Sequence, residues 1–262
     1  MTRRAASFVD YDSVYARRPE GDLLESLDRE SLRDSGGLAG HAAYITAADL
    51  SRCRASIRAH DLGIQLPVID VGCGFGELTR WLASNSGRAA VGIDTSFVAV
   101  QEAVARRERN TYFLRGDAHR MPMRIDSASA AVSLDALYLV ARPREALGEL
   151  RRELVTSGLL IFTAYLSRDS TKGGGCVDAE FWPAELAETG FELLSSFDMT
   201  AAWRRHMLGK HSRRWSQRER ILAQRGESAV AELAVSAAMI GAVGRPRFLD
   251  DVERREFTAI AV

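Results

Sequence analysis

Apolar positions in the first quarter of the chain predict helices. Two stripes with helical spacing occur between residues 8 and 62, namely Leu23, Leu24 and Leu27, then Ala47, Leu50, Ile57 and Leu62. Thr46 precedes the second stripe and Asp49 follows three positions later, a capping pattern that predicts a helix start. Eight acids between residues 10 and 34 are predicted to form a solvated helix face.

From residue 66 onward the pattern changes to short apolar runs separated by amphipathic segments of helical period. These runs predict strands at 68–71, 88–93, 111–115, 129–134, 158–166, 191–199 and 256–262. Strands that alternate with helices are typical of a doubly wound, mainly parallel α/β sheet.

Residues 201–226 have a different character and are called the basic segment. They contain eight basic residues and one acid, Glu219, for a net charge of +7. Leu208, Trp215 and Leu222 recur every seven residues, which predicts one helix with an apolar stripe and a basic remainder. The basic side could be solvated, or it could recognise a phosphate, diphosphate, carboxylate or acidic carrier protein.

Composition narrows the class of protein. The 262 residues suit one domain, and 35 basic against 35 acidic residues give no overall charge to attract nucleic acid or a membrane. Three cysteines without a C-x-x-C pair indicate a reducing compartment and no metal site. We therefore predict a cytoplasmic protein without nucleic-acid or membrane partners, and the oligomeric state stays open.

The stretch Val68-Ile-Asp-Val-Gly-Cys-Gly-Phe-Gly76 predicts a strand, a tight glycine turn and a helix start. Gly72, Gly74 and Gly76 allow positive φ and close approach of a ligand, and the N–H groups of the helix start face that ligand. Asp70 lies inside the strand, where a carboxylate suits a cationic amino group better than a pyrophosphate. A nucleotide-like cofactor is the expected ligand.

Two further acids follow the next two strands. Asp94, 18 residues after Gly76, stands where a carboxylate can accept both hydroxyl groups of a ribose. Asp117 and Ala118 follow the third strand in the order Gly-Asp-Ala, and a plain turn aspartate is the alternative reading.

These motifs resemble those of class I S-adenosylmethionine-dependent methyltransferases. The chain is similar to the small-molecule type found in ubiquinone and menaquinone biosynthesis, and the resemblance covers about residues 66 to 166. It departs where Met121 and Met123 replace the usual leucine and phenylalanine, and where 153–158 lacks the usual turn proline. The resemblance implies S-adenosyl-L-methionine as cofactor and S-adenosyl-L-homocysteine as product. The cofactor-binding residues it implies are Asp70, Gly72, Cys73, Gly74, Gly76, Asp94, Thr95, Asp117, Ala118 and Leu134.

The resemblance also implies the fold. We expect a Rossmann-like seven-stranded sheet whose last strand is antiparallel, with N-terminal helices and a helical lid inserted between the last two strands. A single domain would then comprise an N-terminal helical cap (1–63), a cofactor-binding core (64–200), the lid (201–245) and a closing strand (246–262).

The expected function is methyl transfer to a small molecule, in specialised metabolism, with an anionic or carrier-tethered acceptor as one possibility. Candidate catalytic residues are His206, Tyr138, Asp135 and His41, and candidate substrate residues are Tyr44, Trp203 and Arg204. Each of three candidates also has a non-catalytic alternative. His41 could be a loop histidine in solvent, Tyr44 could pack its ring in the core, and Asp135 could cap a helix. A cyclase or a binding module that keeps the fold is the alternative function.

Overall fold

The computed structural model describes residues 11–12, 21–34, 38, 45–167, 176–243 and 248–262. Every structural statement below concerns these residues. Two predicted site residues, His41 and Tyr44, lie outside them.

Helices and strands alternate through the central part of the chain. The helices are α1 (Leu23–Asp34), α2 (Ala47–Ala59), α3 (Glu77–Ser86), α4 (Phe97–Ala105), α5 (Pro143–Glu153), α6 (Phe181–Glu188), α7 (Thr200–Ser216), α8 (Arg218–Arg225) and α9 (Val230–Ile240). The strands are β1 (Val68–Val71), β2 (Ala90–Asp94), β3 (Thr111–Arg115), β4 (Ala128–Ser133), β5 (Leu154–Ser167), β6 (Phe191–Asp198) and β7 (Val252–Ala261). The capping box at Thr46 forms as the sequence predicts, and the Ser96 side chain caps α4.

One seven-stranded sheet has the order β3-β2-β1-β4-β5-β7-β6. The pairs from β3 to β5 are parallel, and β7 is antiparallel to both neighbours. The predicted fold class is therefore confirmed. Since β1 to β6 point the same way, their carboxyl ends form one edge of the sheet, where ligands bind in open α/β folds.

Two strands begin earlier than the sequence predicts. Strand β5 starts at Leu154 rather than Gly158, and its pairing with β4 is interrupted by a register shift near Ala128. Ser157 adopts φ 63° there, so an irregular strand replaces the expected turn. Strand β7 starts at Val252 rather than Glu256, which brings Arg254 into the sheet.

Apolar layers cover both faces of the sheet. Helices α5 and α6 bury Leu147, Leu150 and Trp182 on one face, and α2 and α3 bury Cys53 and Leu82 on the other. The central strands are accordingly buried along their full length, as parallel strands covered on both faces must be.

The helices between β6 and β7 pack on α1. Leu24 of α1 forms an apolar cluster with Ile221, Ala229 and Leu233. The single predicted helix is two helices, α7 and α8, and the predicted stripe is wrong because Leu222 is exposed. The residues that α7 buries are instead Thr200, Trp203, Met207, Lys210, His211 and Arg214, three of which are polar side chains that can ionise.

Among the described residues, no helix combines the length and apolar character needed to cross a bilayer.

Candidate active site

The glycine loop lies between β1 and α3 at the carboxyl edge. Gly72, Gly74 and Gly76 all have positive φ, and the N–H of Gly72 donates to the carbonyl of Ile93 at 2.8 Å. A Cβ on Gly72 would lie 2.2 Å from that of Ala136. The backbone conformation and this close packing together explain why the loop needs glycine. The loop is held close to both neighbouring strand ends.

Cys73 fills space within this loop. It is buried, and burial, together with the nearby Asp70 and Asp94, raises the pKa of its thiol well above the ordinary value. The thiol is therefore protonated at neutral pH and is a poor nucleophile.

Asp70 lies behind the loop. Its side chain accepts a hydrogen bond from the Thr79 hydroxyl at 2.6 Å, and the residue is 1% exposed. Burial raises the pKa of Asp70 to about 7, against the hydrogen bond from Thr79 that lowers it. The carboxyl group thus joins β1 to α3, and the predicted contact with a ligand amino group stays a prediction.

Asp94 is fixed by the backbone at the end of β2. Its two carboxylate oxygens accept from the N–H groups of Gly74 and Ser96, each at 2.9 Å. Burial raises the pKa of Asp94 above its ordinary value, although these hydrogen bonds lower it. A carboxylate has about four acceptor positions, so these backbone hydrogen bonds do not use all of them. Thr95, beside it, is exposed at the same edge.

Asp117 follows β3 and its side chain is 58% exposed. Burial opposes ionisation, but hydrogen bonds from the backbone and ring of His119 outweigh it and lower the pKa of Asp117. Both described contacts with His119 fall on Oδ1. Ala118 packs partly buried on the core next to it. An ionised acceptor is therefore open to solvent after β3, where the resemblance implies a cofactor-binding residue.

The turn after β4 is built by Ser133. Its hydroxyl donates to the carbonyl of Val71 at 2.9 Å and accepts from the N–H of Leu137 at 3.0 Å. Leu134 is buried beneath this turn, and Asp135 adopts φ 63°. The turn is thereby tied to the strand that carries the glycine loop.

Asp135 is held in an ion pair. Arg254 of β7 donates to its Oδ1 at 2.8 Å, and the two side chains are 3% and 2% exposed. The N–H of Asp135 donates to the Thr163 hydroxyl at 2.8 Å. The structure departs from both readings of Asp135, since a carboxylate buried against a guanidinium is neither a helix cap nor an accessible base.

Three aromatic side chains connect this turn to α7. Tyr138 lies edge-on to Tyr165 with ring centroids 4.7 Å apart, and Tyr165 lies 5.1 Å from Trp203. Trp203 is buried. The predicted residues Tyr138 and Trp203 therefore belong to one cluster that spans from β4 to α7.

His206 lines a cavity of about 260 Å³, here called the α7 pocket. The pocket is bounded by Thr46, Ala48, Asp49, Arg52, Phe197, Asp198, Met199, Ala201, Ala202, Trp203, Arg205, His206 and Arg254. Burial lowers the pKa of His206 below its ordinary value of 6.5, and Lys210 and Arg254 lower it further. Its imidazole is consequently neutral at pH 7 and able to accept a proton.

Arg204 does not line this pocket. Its Nη2 donates to the carbonyls of Asp250 and Val252 at 3.0 and 3.1 Å. The guanidinium group predicted to contact the substrate therefore binds the backbone at the start of β7. The neighbouring Arg205 lines the pocket instead.

Cations of the basic segment pair with acids of α1 and α9. Arg214 donates to Asp28 through two nitrogens, and Lys210 lies 3.4 Å from the same carboxylate. Arg225 pairs in the same way with Asp22 and Glu232. The expectation that the acidic and basic stretches form solvated faces is wrong for these residues, because each supplies the other's counter-charge.

Three residues that organise this edge were not predicted as site residues: Thr79, Thr163 and Arg254. Thr163 lies within an apolar run, which is a usable signal, since a buried polar side chain needs a partner. The predicted last strand begins at residue 256, two residues after Arg254. The apolar pattern therefore did not indicate that Arg254 lies in the sheet.

The comparisons decide the family of this site. Residues 69–162 match the model of a methyltransferase domain, which spans the glycine loop, Asp94, Asp117 and Asp135. The chain contains a class I S-adenosylmethionine-dependent methyltransferase domain. The cofactor of this methyltransferase domain is S-adenosylmethionine, as the sequence predicted.

One curated relative matches about half of this chain. Squalene methyltransferase 2 of Botryococcus braunii is 29% identical over 157 residues, which cover 51% of this chain and 42% of the relative. The chain thus matches less than half of that protein's length.

Two solved structures share the fold. The [4+2]-cyclase SpnF has a TM-score of 0.67 at 24% identity, covering 92% of this chain and 94% of its own. Phosphoethanolamine N-methyltransferase 2 of Haemonchus contortus, solved with phosphomonomethylethanolamine and S-adenosylhomocysteine, has a TM-score of 0.68 at 16% identity, with coverages of 97% and 60%.

The side chains at the edge fit the cofactor. Asp94 has acceptor positions left for ribose hydroxyls, and the exposed Asp117 can accept from an amino group. Gly72 and Gly76 have positive φ and no side chain, so a ligand can approach the loop backbone closely. The acceptors therefore follow the carboxyl ends of β2 and β3 beside the loop after β1.

Proposed function

We propose that the protein transfers a methyl group from S-adenosylmethionine to a small molecule bound in the α7 pocket. One observation carries the proposal: the fixed carboxylate of Asp94 and the α7 pocket lie at the same edge of the sheet of a methyltransferase domain. When bound, the cofactor supplies an electrophilic methyl group on its sulfonium.

The chain's own residues hold and align the reactants. Asp94 and the glycine loop fix the nucleoside end, and the turn at Asp135 is braced by Ser133 and Arg254. A rigid arrangement of this kind brings nucleophile and methyl group to reacting distance, which supplies much of the rate enhancement. Trp203 and the rest of α7 cover the acceptor side and exclude water.

A general base is needed only for an acceptor that must lose a proton. We assign this role to His206, because its imidazole lines the pocket and its pKa is lowered below 6.5 by burial, Lys210 and Arg254. Tyr138 is the second candidate, since it lies in the turn after β4 that faces the same edge.

Production of S-adenosylhomocysteine tests the proposal. The protein is incubated with methyl-labelled cofactor and a panel of alcohols, phenols, amines and activated alkenes. Transfer of label with equimolar S-adenosylhomocysteine supports the function, and Asp94→Ala should slow the transfer at limiting cofactor. Tight cofactor binding without label transfer to any member of the panel would count against methyl transfer.

A cyclase that keeps the cofactor site is the alternative function. Its support is the likeness to SpnF, which extends over 92% of this chain. The two functions differ in stoichiometry, because a cyclase forms product without consuming the cofactor. Measuring product and S-adenosylhomocysteine in the same reaction separates them.

Squalene methyltransferase 2 supports an acceptor with apolar character, and we propose a role in specialised metabolism on that basis. Deleting the gene should then remove a methylated minor metabolite while growth on minimal medium is unchanged. A growth defect that a primary metabolite repairs would contradict it.

We also propose a cytoplasmic location, supported by Cys53, Cys73 and Cys176, which are buried as thiols. Cell fractionation tests it directly. Recovery of the protein with oxidised thiols from an extracytoplasmic fraction would exclude it.

A carrier-tethered acceptor stays a prediction of the sequence. The pairing of Lys210, Arg214 and Arg225 with acids leaves fewer exposed cations for an acidic carrier than the net charge of the segment indicates.

A further inference from the structure

The walls of the α7 pocket combine a large apolar part with a compact ionic part. The apolar part consists of Ala48, Phe197, Met199, Ala201, Ala202 and Trp203. Trp203 also carries a buried indole N–H that has no hydrogen-bond partner among the described residues. The pocket thus offers apolar contact area, and one of its wall residues holds a buried donor group.

The guanidinium groups of the ionic part are already neutralised. Arg52 donates to Asp49 at 2.5 Å and lies 3.4 Å from Glu256. Arg254 pairs with Asp135 at 2.8 Å and lies 3.7 Å from Asp49. Asp49 and Asp135 balance the two guanidinium groups, and burial raises the pKa of the third acid, Glu256, which disfavours its charged form. A further buried charge in this wall would lack a counter-charge of its own, and burying an unpaired charge is costly.

The other polar groups of the pocket do not change this balance. Asp198 accepts from the N–H of Thr200 at 2.8 Å and is exposed, as is Arg205, so water screens both charges. His206 is neutral at pH 7, and the N–H of Thr46 is already bonded to Asp49. The inner surface therefore favours an uncharged ligand with one hydrogen-bonding group.

The volume limits the size of that ligand. A cavity of about 150 Å³ is enough to hold benzene. At about 260 Å³ the α7 pocket has room for a substituted ring or a branched chain of similar bulk.

We infer that the α7 pocket is a binding site for uncharged, ring-sized molecules with one hydroxyl group, recognised by the apolar wall of α7 and by a charge-compensated wall of Asp49, Arg52, Arg254 and Asp135. The statement that such a molecule is the methyl acceptor rests on the proposed function, whereas the binding itself does not.

Binding of three matched probes tests the inference without turnover. Benzyl alcohol, benzoate and benzylamine share one ring and differ in charge at pH 7. Their dissociation constants are measured by NMR titration of the full-length protein, with and without S-adenosylhomocysteine. Benzyl alcohol should bind at least tenfold more tightly than either ion. Equal or tighter binding of benzoate or benzylamine would overturn the inference.

Filling the pocket tests its location. Ala202→Trp should weaken benzyl alcohol binding at least tenfold, and Ala223→Trp on the exposed surface of α8 is the matched control. If Ala202→Trp fails to fold, Ala48→Trp fills the pocket from α2. Unchanged binding in the folded pocket variant would place the ligand elsewhere and overturn the inference.

Removing one positive charge from the ionic part of the pocket tests whether that part determines which ligand charge is accepted. Arg52→Met leaves Asp49 and Glu256 without this counter-charge, so benzylamine should bind at least tenfold more tightly than to the wild type. Arg58→Met, on the same helix outside the pocket, should change nothing. An unaltered order of affinities in Arg52→Met would contradict the role of charge compensation.

The outcomes also separate the two proposals. Tight benzyl alcohol binding without methyl transfer to any acceptor would leave this site standing and count against the proposed function alone. If the wild type transfers methyl groups and Ala202→Trp keeps full turnover and full affinity for benzyl alcohol, methyl transfer stands and the α7 pocket is not the binding site.

Discussion

Asp28 of α1 and Arg214 of α7 form a two-contact ion pair although 186 residues separate them. Lys210 adds a second cation 3.4 Å from the same carboxylate. The pair joins the N-terminal helix to the helices between β6 and β7. The ion pair therefore holds α1 against α7.

Removing the Asp28 charge should weaken this contact between α1 and α7. Burial opposes ionisation, but Arg214 and Lys210 outweigh it and lower the pKa of Asp28. Asp28→Asn should destabilise the protein at pH 7 by about 1–3 kcal/mol, because buried donors lose their charged acceptor.

The stability that Asp28 contributes should depend on pH. A lowered pKa stabilises the fold above the unfolded pKa, and that stability is lost as pH falls through the folded pKa. The difference between the wild type and Asp28→Asn in thermal unfolding should therefore shrink in acid. Glu25→Gln, in an exposed pair with Arg29, is the control and should cost under about 1 kcal/mol. A difference that persists at low pH would argue against the ion pair.

Asp94 should control cofactor affinity. Asp94→Ala removes the acceptor of the Gly74 and Ser96 N–H groups as well as the predicted ribose contact. A hydrogen bond to a charged group contributes about 1.5–3 kcal/mol, so calorimetry with S-adenosylhomocysteine should show affinity lower by about 10- to 100-fold. Glu188→Gln, on the exposed end of α6, should bind normally. Equal affinities in the two variants would remove Asp94 from the site.

Gly76 should tolerate no side chain. A Cβ there would lie 2.5 Å from the Phe113 ring, on a residue with φ +83°. Gly76→Ala should lower the free energy of unfolding by about 1–3 kcal/mol, as overpacking does. Gly148→Ala in α5 meets no atom within 4 Å and should stabilise by about 0.4–1 kcal/mol. Denaturant unfolding measures both changes, and a Gly76→Ala protein as stable as the wild type would show that neither packing nor φ limits Gly76.

Asp70 should make the ligand-free protein sensitive to pH near neutrality. Its pKa is raised to about 7, first by burial, so the stability it contributes is present below the unfolded pKa and declines as pH rises through 7. The free energy of unfolding should fall between pH 5 and 8 in the wild type and fall less in Asp70→Asn. Parallel profiles for the two proteins would contradict the raised pKa.

His206 should give the acid limb of the pH–rate profile for an acceptor that loses a proton. With its pKa lowered by burial, Lys210 and Arg254, kcat should rise through a pKa below 6.5 and stay level above it. His206→Gln should remove that limb and reduce kcat by about 10²- to 10⁴-fold. His60→Gln, at the end of α2, is the control. An acid limb that survives in His206→Gln would assign the proton to another group.

The sequence by itself determined the fold class, the cofactor and the residues of the glycine loop. The loop follows from a local pattern, because a strand, a turn and a helix start are encoded within the few residues from Val68 to Glu77. The cofactor follows from the resemblance of these motifs to a known family. The acids after β2 and β3 were predictable as well, since each stands directly at a strand end. Positive φ at Gly72, Gly74 and Gly76 follows from the same stretch.

Only the tertiary structure decided how the charges pair. Asp135 and Arg254 are 119 residues apart, and Asp28 and Arg214 are 186 apart, so no local pattern relates them. Both acids resembled accessible side chains in the sequence, yet folding buries each against a guanidinium. Periodicity records which face of an element is apolar, whereas the partner of a buried charge depends on which elements meet in space.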